Sequence, residues 1–391
     1  MAAEPGAISG GDKIFLECAR HWARLGHRVR IYTNESGEQM CANHGLVDVR
    51  TVVFHSAGWR RFGFAVHYLV RVLQACVEAM RVRLEDPGPH LVYSASDFWP
   101  DSLPAAILRR RNRKLRWMAA FHFVAPSPFA GRAEVEYRGG RLPKSARSLL
   151  YFLTQRMVLP LLLRGADFWV VATPQEKGFL ERKGVAPDAV WVIFGGVDLA
   201  GIAAAKASTT ASYDACFVGR LHIQKGVQCL APVWEEVVRV LPAARLAVIG
   251  EGPLRGEVER EVARRNLSKN VHFLGYVDGD EKYSILKASR VFLHTALWDT
   301  GGMAAAEGMA CGLPVVAFDL PGYRYIYPRG MLKAQREDAA KFAALIVQLL
   351  RDRKLHAEVQ RDAVELVQAW DWRSRAEGVE KRFAGLFPAG Q

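Results

Sequence analysis

No two of the six cysteines, Cys18, Cys41, Cys76, Cys216, Cys229 and Cys311, stand at Cys-x-x-Cys spacing. That argues against a zinc knuckle or a disulfide framework and favours a reducing compartment. No apolar run reaches the roughly 18 residues that a membrane-spanning helix needs. The opening MAAEPGAISGGDK lacks the apolar core of a secretory signal. There is no short internal repeat and no low-complexity block. Acidic residues are in deficit: 40 Asp and Glu face 53 Lys and Arg, a net charge of +13. An anionic partner follows from that excess, and nucleic acid, anionic lipid and nucleotide phosphate all satisfy it.

What is present is an ordinary globular composition, 50% hydrophobic and 24% charged over 391 residues, enough for two or three domains. Short apolar strands alternate with amphipathic helices along the chain, which argues for α/β domains with parallel sheets. Helix is expected over Ile14–Leu25 and strand over His27–Thr33 and Leu46–Phe54. A long amphipathic helix is expected over Trp59–Leu84. Its apolar stripe runs Phe62, Val66, Leu69, Leu73, Val77, Met80 and Leu84, opposite Arg60, Arg71, Glu78 and Arg81. Strands follow at His90–Ser94, Leu115–His122, Phe168–Ala172 and Trp191–Phe194, and Ala200–Ser212 reads as a linker. The second half repeats the pattern, with strands at Ala215–Val218, Arg245–Ile249, Val271–Leu274 and Val291–Thr295.

The most informative stretch is Trp298–Ala317, WDTGGMAAAEGMACGLPVVA. Gly301 and Gly302 sit where a loop enters a helix that starts near Met303, and Gly312 with Pro314 ends it. Free amides at such a helix start favour an anion such as phosphate. Glu307, an acceptor-only carboxylate, lies on the second turn, within reach of hydroxyls on the same ligand. The same residues also read as an N-cap at Asp299 followed by tight Ala packing. Upstream, Gly219-Arg220-Leu221-His222-Ile223-Gln224-Lys225-Gly226 follows a strand and precedes a helix. Arg220 as a planar fork and Lys225 as a point charge suit a diphosphate; two solvated cations at a strand end are the plainer alternative. The turn Val248–Leu254, containing Gly250, lacks the third glycine of a dinucleotide fingerprint.

Asp299, seven residues, Glu307 and the tail Met309–Ala317 together resemble the signature of the retaining GT-B glycosyltransferases of family 4, with Asp299 in place of the family's first glutamate. The motifs occur in the family's order from Gly10 to about Phe383. The resemblance implies an α/β fold of two Rossmann-like domains facing each other across a cleft. Residues 1–200 would form the acceptor-side domain and 201–372 the nucleotide-sugar domain. Residues 373–391 would form a helix returning to the first domain, with Trp370-Asp371-Trp372 at its start. It implies transfer of a hexosyl group from a UDP- or GDP-sugar to a glycan or lipid-linked acceptor hydroxyl, with retention, no cofactor and no metal. By resemblance, Gly219, Arg220, Lys225 and Gly226 hold the donor diphosphate, Gly250 and Phe273–Val277 lie near the nucleotide, and the Gly301-Gly302-Met303 amides face phosphate. Glu307 would hold the ribose, Asp299 would orient the sugar, Gly10 and Gly11 would face donor phosphate and acceptor, and His122 would contact the transferred sugar. Gly195-Gly196-Val197-Asp198 would close the first domain. A non-catalytic binding protein on the same fold stays open. A nucleic-acid binder is disfavoured, because the basic run at Arg109 lacks interleaved aromatics.

Two further expectations follow. Basic and apolar residues alternate over Arg141–Arg164, with Phe152, Leu153, Met157 and Leu161 near Arg147 and Arg156. In a protein expected to be cytoplasmic, that pattern suits peripheral attachment of the first domain to an anionic membrane; a buried helix pair with solvated basic edges is the plainer alternative. Met1–Ser9, broken by Pro5 and Gly6, cannot supply the apolar strand with which the family's first domain opens. The strands His27–Thr33 and His90–Ser94 would then face a gap.

Overall fold

The computed structural model describes residues 10–46, 49–84, 89–125, 146–209, 212–299 and 301–385. The chain divides into two compact units. One takes the described chain up to Gly195 together with the chain from Arg373 onward; the other takes Gly196–Trp372. The first unit runs α1 (Gly10–Arg24), β1 (Arg30–Asn34), α2 (Glu35–Asn43), β2 (Arg50–Phe54), a tight helical turn at Ala57–Phe62, α3 (Phe64–Arg81), β3 (Leu91–Ser94), α4 (Trp99–Arg111), β4 (Arg116–Phe121), α5 (Ala146–Gly165), β5 (Phe168–Val171), α6 (Pro174–Arg182) and β6 (Val190–Val192). The second unit begins with α7 (Leu199–Ala204), β7 (Tyr213–Val218), α8 (Leu230–Val240), β8 (Leu246–Ile249), α9 (Arg255–Arg264), β9 (Val271–Gly275), α10 (Gly279–Lys287) and β10 (Ser289–His294). It continues with α11 (Met303–Ala310), β11 (Val315–Phe318), α12 (Pro321–Ile326), β12 (Met331–Ala334), α13 (Ala339–Arg351) and α14 (Arg353–Val367), before α15 (Trp372–Ala384).

In the second unit six parallel strands lie in the order β12-β11-β10-β7-β8-β9. Strands buried on both faces need apolar side chains at every position, and Val315–Phe318 and Leu246–Ile249 supply them. Helices close both faces: α8 buries Leu230, Ala231, Val233, Trp234 and Val237, at the spacing of one helical stripe. The stretch read as a linker is part of this unit. Leu199–Ala204 is helical, Ile202 is buried, and Lys287 Nζ donates to the Ala205 carbonyl at 2.7 Å. Val197 pairs with Asp371: the Val197 amide donates to Trp370 O at 2.8 Å and the Trp372 amide to Val197 O at 3.1 Å.

In the first unit β3-β4-β5-β6 form one parallel sheet and β1-β2 another. A cavity of about 570 Å3 is lined by Ile31 and Thr33 of β1, Val92 and Tyr93 of β3, and Phe15 and Trp22 of α1. The expected lack of an opening strand concerns Met1–Ser9, which lie outside the described residues. From Arg373 the chain packs on this unit: Arg375 lies 5.2 Å from the Phe194 ring centroid, and His27 Nε2 is 3.2 Å from Glu380 Oε1.

The long helix over Trp59–Leu84 is broken at Gly63, whose φ of +92° separates the turn from α3. Its packing also reverses the simple reading of its stripe. Tyr68, Val72, Ala75 and Ala79 are the buried residues, while Phe62, Val66, Leu69, Leu73, Val77 and Met80 face outward. Small alanines let α3 lie close against α4, and Tyr68 anchors it by accepting the Trp99 amide at 3.1 Å. Ala75→Glu should therefore lower stability by about 3 kcal/mol or more, while Leu73→Glu should stay within about 0.5 kcal/mol of wild type. Urea unfolding of the two variants checks this; equal losses would place the wrong face inside.

Candidate functional site

In the second unit the connections from β7 lead one way, to β8 and β9, and those from β10 lead the other, to β11 and β12. Between β7 and β10 the chain direction switches, and loops leaving the C-terminal ends of two such strands diverge to leave a crevice. The Gly219–Gly226 loop leaves β7 there and the Thr295–Met303 loop leaves β10. The two are stitched together: Thr295 Oγ1 donates to Lys225 O at 2.8 Å, and the Leu297 amide donates to Gln224 O at 3.0 Å.

The stitching places Lys225 against Asp299, with Nζ 2.5 Å from Oδ2. The other carboxylate oxygen of Asp299 accepts the Gly301 and Gly302 amides, both at 3.3 Å. His294 Nε2 stands 3.5 Å from Asp299 Oδ2 and 2.6 Å from the Tyr323 hydroxyl. Burial by itself would raise the Asp299 carboxyl, but Lys225 and His294 outweigh it and hold it well below the ordinary carboxylate range. Burial keeps His294 below its ordinary value, despite Asp299 beside it. Gly302 is the N-cap of α11, in the left-handed conformation at φ +57°. Its carbonyl and that of Gly301 both lie within reach of the Tyr327 hydroxyl, at 2.8 and 2.7 Å. Tyr323 and Tyr327 are fully buried.

Met303, the first residue of α11, is half-buried, and Glu307, one turn further on, is buried. Glu307 Oε2 is 3.0 Å from Lys282 Nζ, which also holds Asp278 Oδ1 at 2.8 Å. Burial would lower Lys282, yet the two carboxylates overcome it and raise it above its ordinary range. Asp278-Gly279-Asp280 is an Asp-x-Asp string, and Asp278 is engaged with this lysine. Among the described residues no three His, Cys, Asp or Glu side chains gather as a metal site would require.

The glycines form the floor. The Gly219 amide donates to Ile249 O at 3.0 Å and the Gly250 amide to Gly275 O at 2.7 Å, so the ends of β7, β8 and β9 lie side by side. Gly250 has φ +136°, and a Cβ there would fall 2.0 Å from Gly219 O. No other residue allows that approach. Arg220 is half-buried in the same loop. Gly219, Arg220, Lys225, Gly250, Asp299, Gly301, Gly302, Met303 and Glu307 all belong to this unit.

Gly10, Gly11 and His122 belong to the first unit. Gly10 opens α1, and a Cβ on Gly11 would fall 2.7 Å from His122 Cδ2, so the helix start lies directly on the imidazole. Both ring nitrogens of His122 are buried, and the Ala95 backbone is the polar group that approaches the ring. Burial pushes this histidine down to about 4, against the pull of Asp12, so it is neutral near pH 7.

Sequence reasoning missed Lys282, His294, Tyr323 and Tyr327. Lys282 carried a local signal, four residues after Asp278 at the start of a helix. The other three carried none, because their partners at Asp299 and Gly302 are met only through the sheet.

Two family models match: "Glycosyltransferase Family 4" over residues 8–200, and "Glycosyl transferases group 1" over residues 202–365. Among curated proteins, the phosphatidylinositol N-acetylglucosaminyltransferase gpi3 subunit of Schizosaccharomyces pombe is 26% identical over 172 residues, 43% of this chain and 37% of that protein. The match thus spans about a third of that relative's length. Among solved structures, Anabaena HepE in complex with UDP aligns with a TM-score of 0.72 at 16% identity, covering 98% of both chains. Sucrose-phosphate synthase from Thermosynechococcus elongatus aligns with a TM-score of 0.71 at 20% identity, covering 96% of this chain and 92% of that one. These likenesses establish the fold as GT-B, with two Rossmann-like domains.

The Lys282–Glu307 pair gives a direct test of the site's architecture. Lys282→Met should cost about 3 kcal/mol, because it leaves a buried carboxylate without its cation. A lysine raised above its ordinary value contributes fully below that value and loses the contribution only as pH climbs through the raised one. The deficit should therefore be flat between about pH 7 and 9. Denaturant unfolding at the two ends of that window measures it; an unchanged midpoint would show that the pair does not hold α11.

Proposed function

Because the chain belongs to the family 4, group 1 glycosyltransferases, we propose that it moves a hexosyl group from a UDP- or GDP-sugar to an acceptor hydroxyl on a glycan or lipid-linked acceptor, with retention and without a metal. The observation that carries this reading is the Lys225–Asp299 pair at the mouth of the β7–β10 crevice, beside the start of α11. A lysine paired at this helix N-terminus and an arginine in the same loop are groups that suit a diphosphate.

The chemistry follows from charge. Breaking the bond between sugar and diphosphate builds negative charge on the leaving phosphate. Lys225, Arg220 and the amides at the start of α11 are groups already in place to stabilise it. Asp299 positions Lys225 and keeps the Gly301-Gly302 turn folded beneath it. The diphosphate competes with Asp299 for the lysine and the two amides, so donor binding loosens this pairing. Glu307, held in place by Lys282, accepts hydroxyls of the nucleotide ribose. The family resemblance assigns His122, held neutral near pH 7 by its burial, to the contact with the transferred sugar. Support for a UDP donor comes from the fold neighbour bound to UDP, and support for a lipid-linked acceptor from the phosphatidylinositol-directed relative.

Thermal stabilisation against a panel of UDP- and GDP-sugars should reveal the donor. Lys225→Ala and Glu307→Ala should each weaken donor binding or turnover about tenfold or more, equivalent to about 1.4 kcal/mol. Near-wild-type kinetics in both would remove the donor-site assignment. Binding without turnover of any acceptor would favour the non-catalytic reading. EDTA should leave activity intact; complete loss restored by magnesium or manganese would overturn the metal-free mechanism.

A further inference from the structure

We infer that the outward face of α3, with the turn before it, is a docking surface for an anionic lipid bilayer. Phe62, Leu69, Leu73 and Met80 are 54%, 50%, 64% and 54% exposed, and Val66 and Val77 join them at 38% each. From Val66 to Met80 the spacing of three and four residues makes one stripe along α3, about 21 Å long at 1.5 Å per residue, with Phe62 in the turn before it. Soluble monomers rarely leave such a contiguous apolar face to water. The helix cannot turn the stripe inward, because its opposite side is already used. Tyr68, Val72, Ala75 and Ala79 are buried, α3 packs against α4, and Tyr68 Oη accepts the Trp99 amide.

Charge selects the occupant. Residues 57–83 hold five arginines, Arg60, Arg61, Arg71, Arg81 and Arg83, against the single carboxylate Glu78. Arg60, Arg61, Arg81 and Arg83 are exposed at the two ends of the stripe. Trp59 and Phe64, 45% and 49% exposed, adjoin the first pair, and the Arg61 guanidinium lies 4.8 Å from the Phe62 ring centroid. An apolar stripe bounded by arginine and amphipathic aromatics suits the boundary between acyl chains and anionic headgroups. A second copy of the chain suits it poorly, since pairing two such faces would oppose like charges. α4 packs against both α3 and α5, and α5 exposes Leu149, Leu153 and Met157, with the Arg156 guanidinium 5.0 Å from the Phe152 ring centroid. The inference does not depend on the donor reading.

The test is co-sedimentation of the full chain with vesicles of equal parts phosphatidylcholine and phosphatidylglycerol, alongside pure phosphatidylcholine, at low and high salt. Wild type should sediment with the anionic vesicles at low salt and be released by high salt. Leu69→Glu combined with Leu73→Glu should lower partitioning about tenfold or more, and Arg60→Glu with Arg61→Glu should abolish the preference for anionic vesicles. Thermal melts of the variants, unchanged from wild type, establish that the fold is intact. Wild-type partitioning by the folded Leu69→Glu/Leu73→Glu variant would overturn the proposal. So would a wild-type protein that ignores anionic vesicles and is a dimer dissociated by Leu73→Glu, which would assign the face to a second copy.

Discussion

The second unit depends on one ion pair between loops that leave adjacent strands, Lys225 to Asp299. Burial alone would raise the Asp299 carboxyl, and the lysine with His294 outweighs it and holds the carboxyl well below its ordinary range. The pair is also a caps-and-loop device. The same carboxylate accepts the Gly301 and Gly302 amides, so it fixes the entry to α11 as well as the lysine. A ligand phosphate arriving at this helix start meets donors that are already organised and only weakly occupied, at 3.3 Å. Preorganisation of that kind is what stabilises developing charge, because the donors need not be assembled as the charge appears.

A second buried pair, Lys282 with Glu307, performs the complementary task one turn along the helix. Burial favours the protonated form of a carboxylate, while a paired cation favours the ionised one. Lys282 resolves that conflict from the side, and Asp278 shares it so that the lysine itself stays charged. The two tyrosines beneath the Gly-Gly turn do the same work with neutral groups: Tyr327 binds the turn's carbonyls and Tyr323 binds His294. Electrostatics and backbone geometry at this site are thus set by residues that need not touch the ligand.

Much of this was legible from the chain. The alternation of strands and helices is written in short apolar runs and amphipathic stripes, and in the second unit it maps onto the observed sheet almost element by element. The Gly219–Gly226 and Trp298–Ala317 strings were also legible, because glycines beside charged residues at a strand-to-helix turn are a local signal. What was not legible is long-range or depends on which face is chosen. Lys282 meets Glu307, and His294 meets Tyr323, only after the sheet has brought them together. The α3 stripe has helical periodicity whichever side faces inward; only the fit of Ala75 and Ala79 against α4 decides that the larger side chains stay outside. Ala200–Ser212 looked like a linker because its side chains are small, yet small side chains also let Leu199–Ala204 pack as a helix with Ile202 buried.

The central claim is that the crevice between β7 and β10 receives a nucleotide-sugar, with the base beyond the ends of β8 and β9. Photolabelling with a UDP-sugar bearing an azide on the uracil ring, followed by peptide mapping, tests it most directly. The account predicts labelled peptides from Gly250–Leu254 or Leu274–Val277, suppressed by excess unlabelled UDP-sugar. Suppressible label confined to peptides outside Gly219–Glu307 would contradict it.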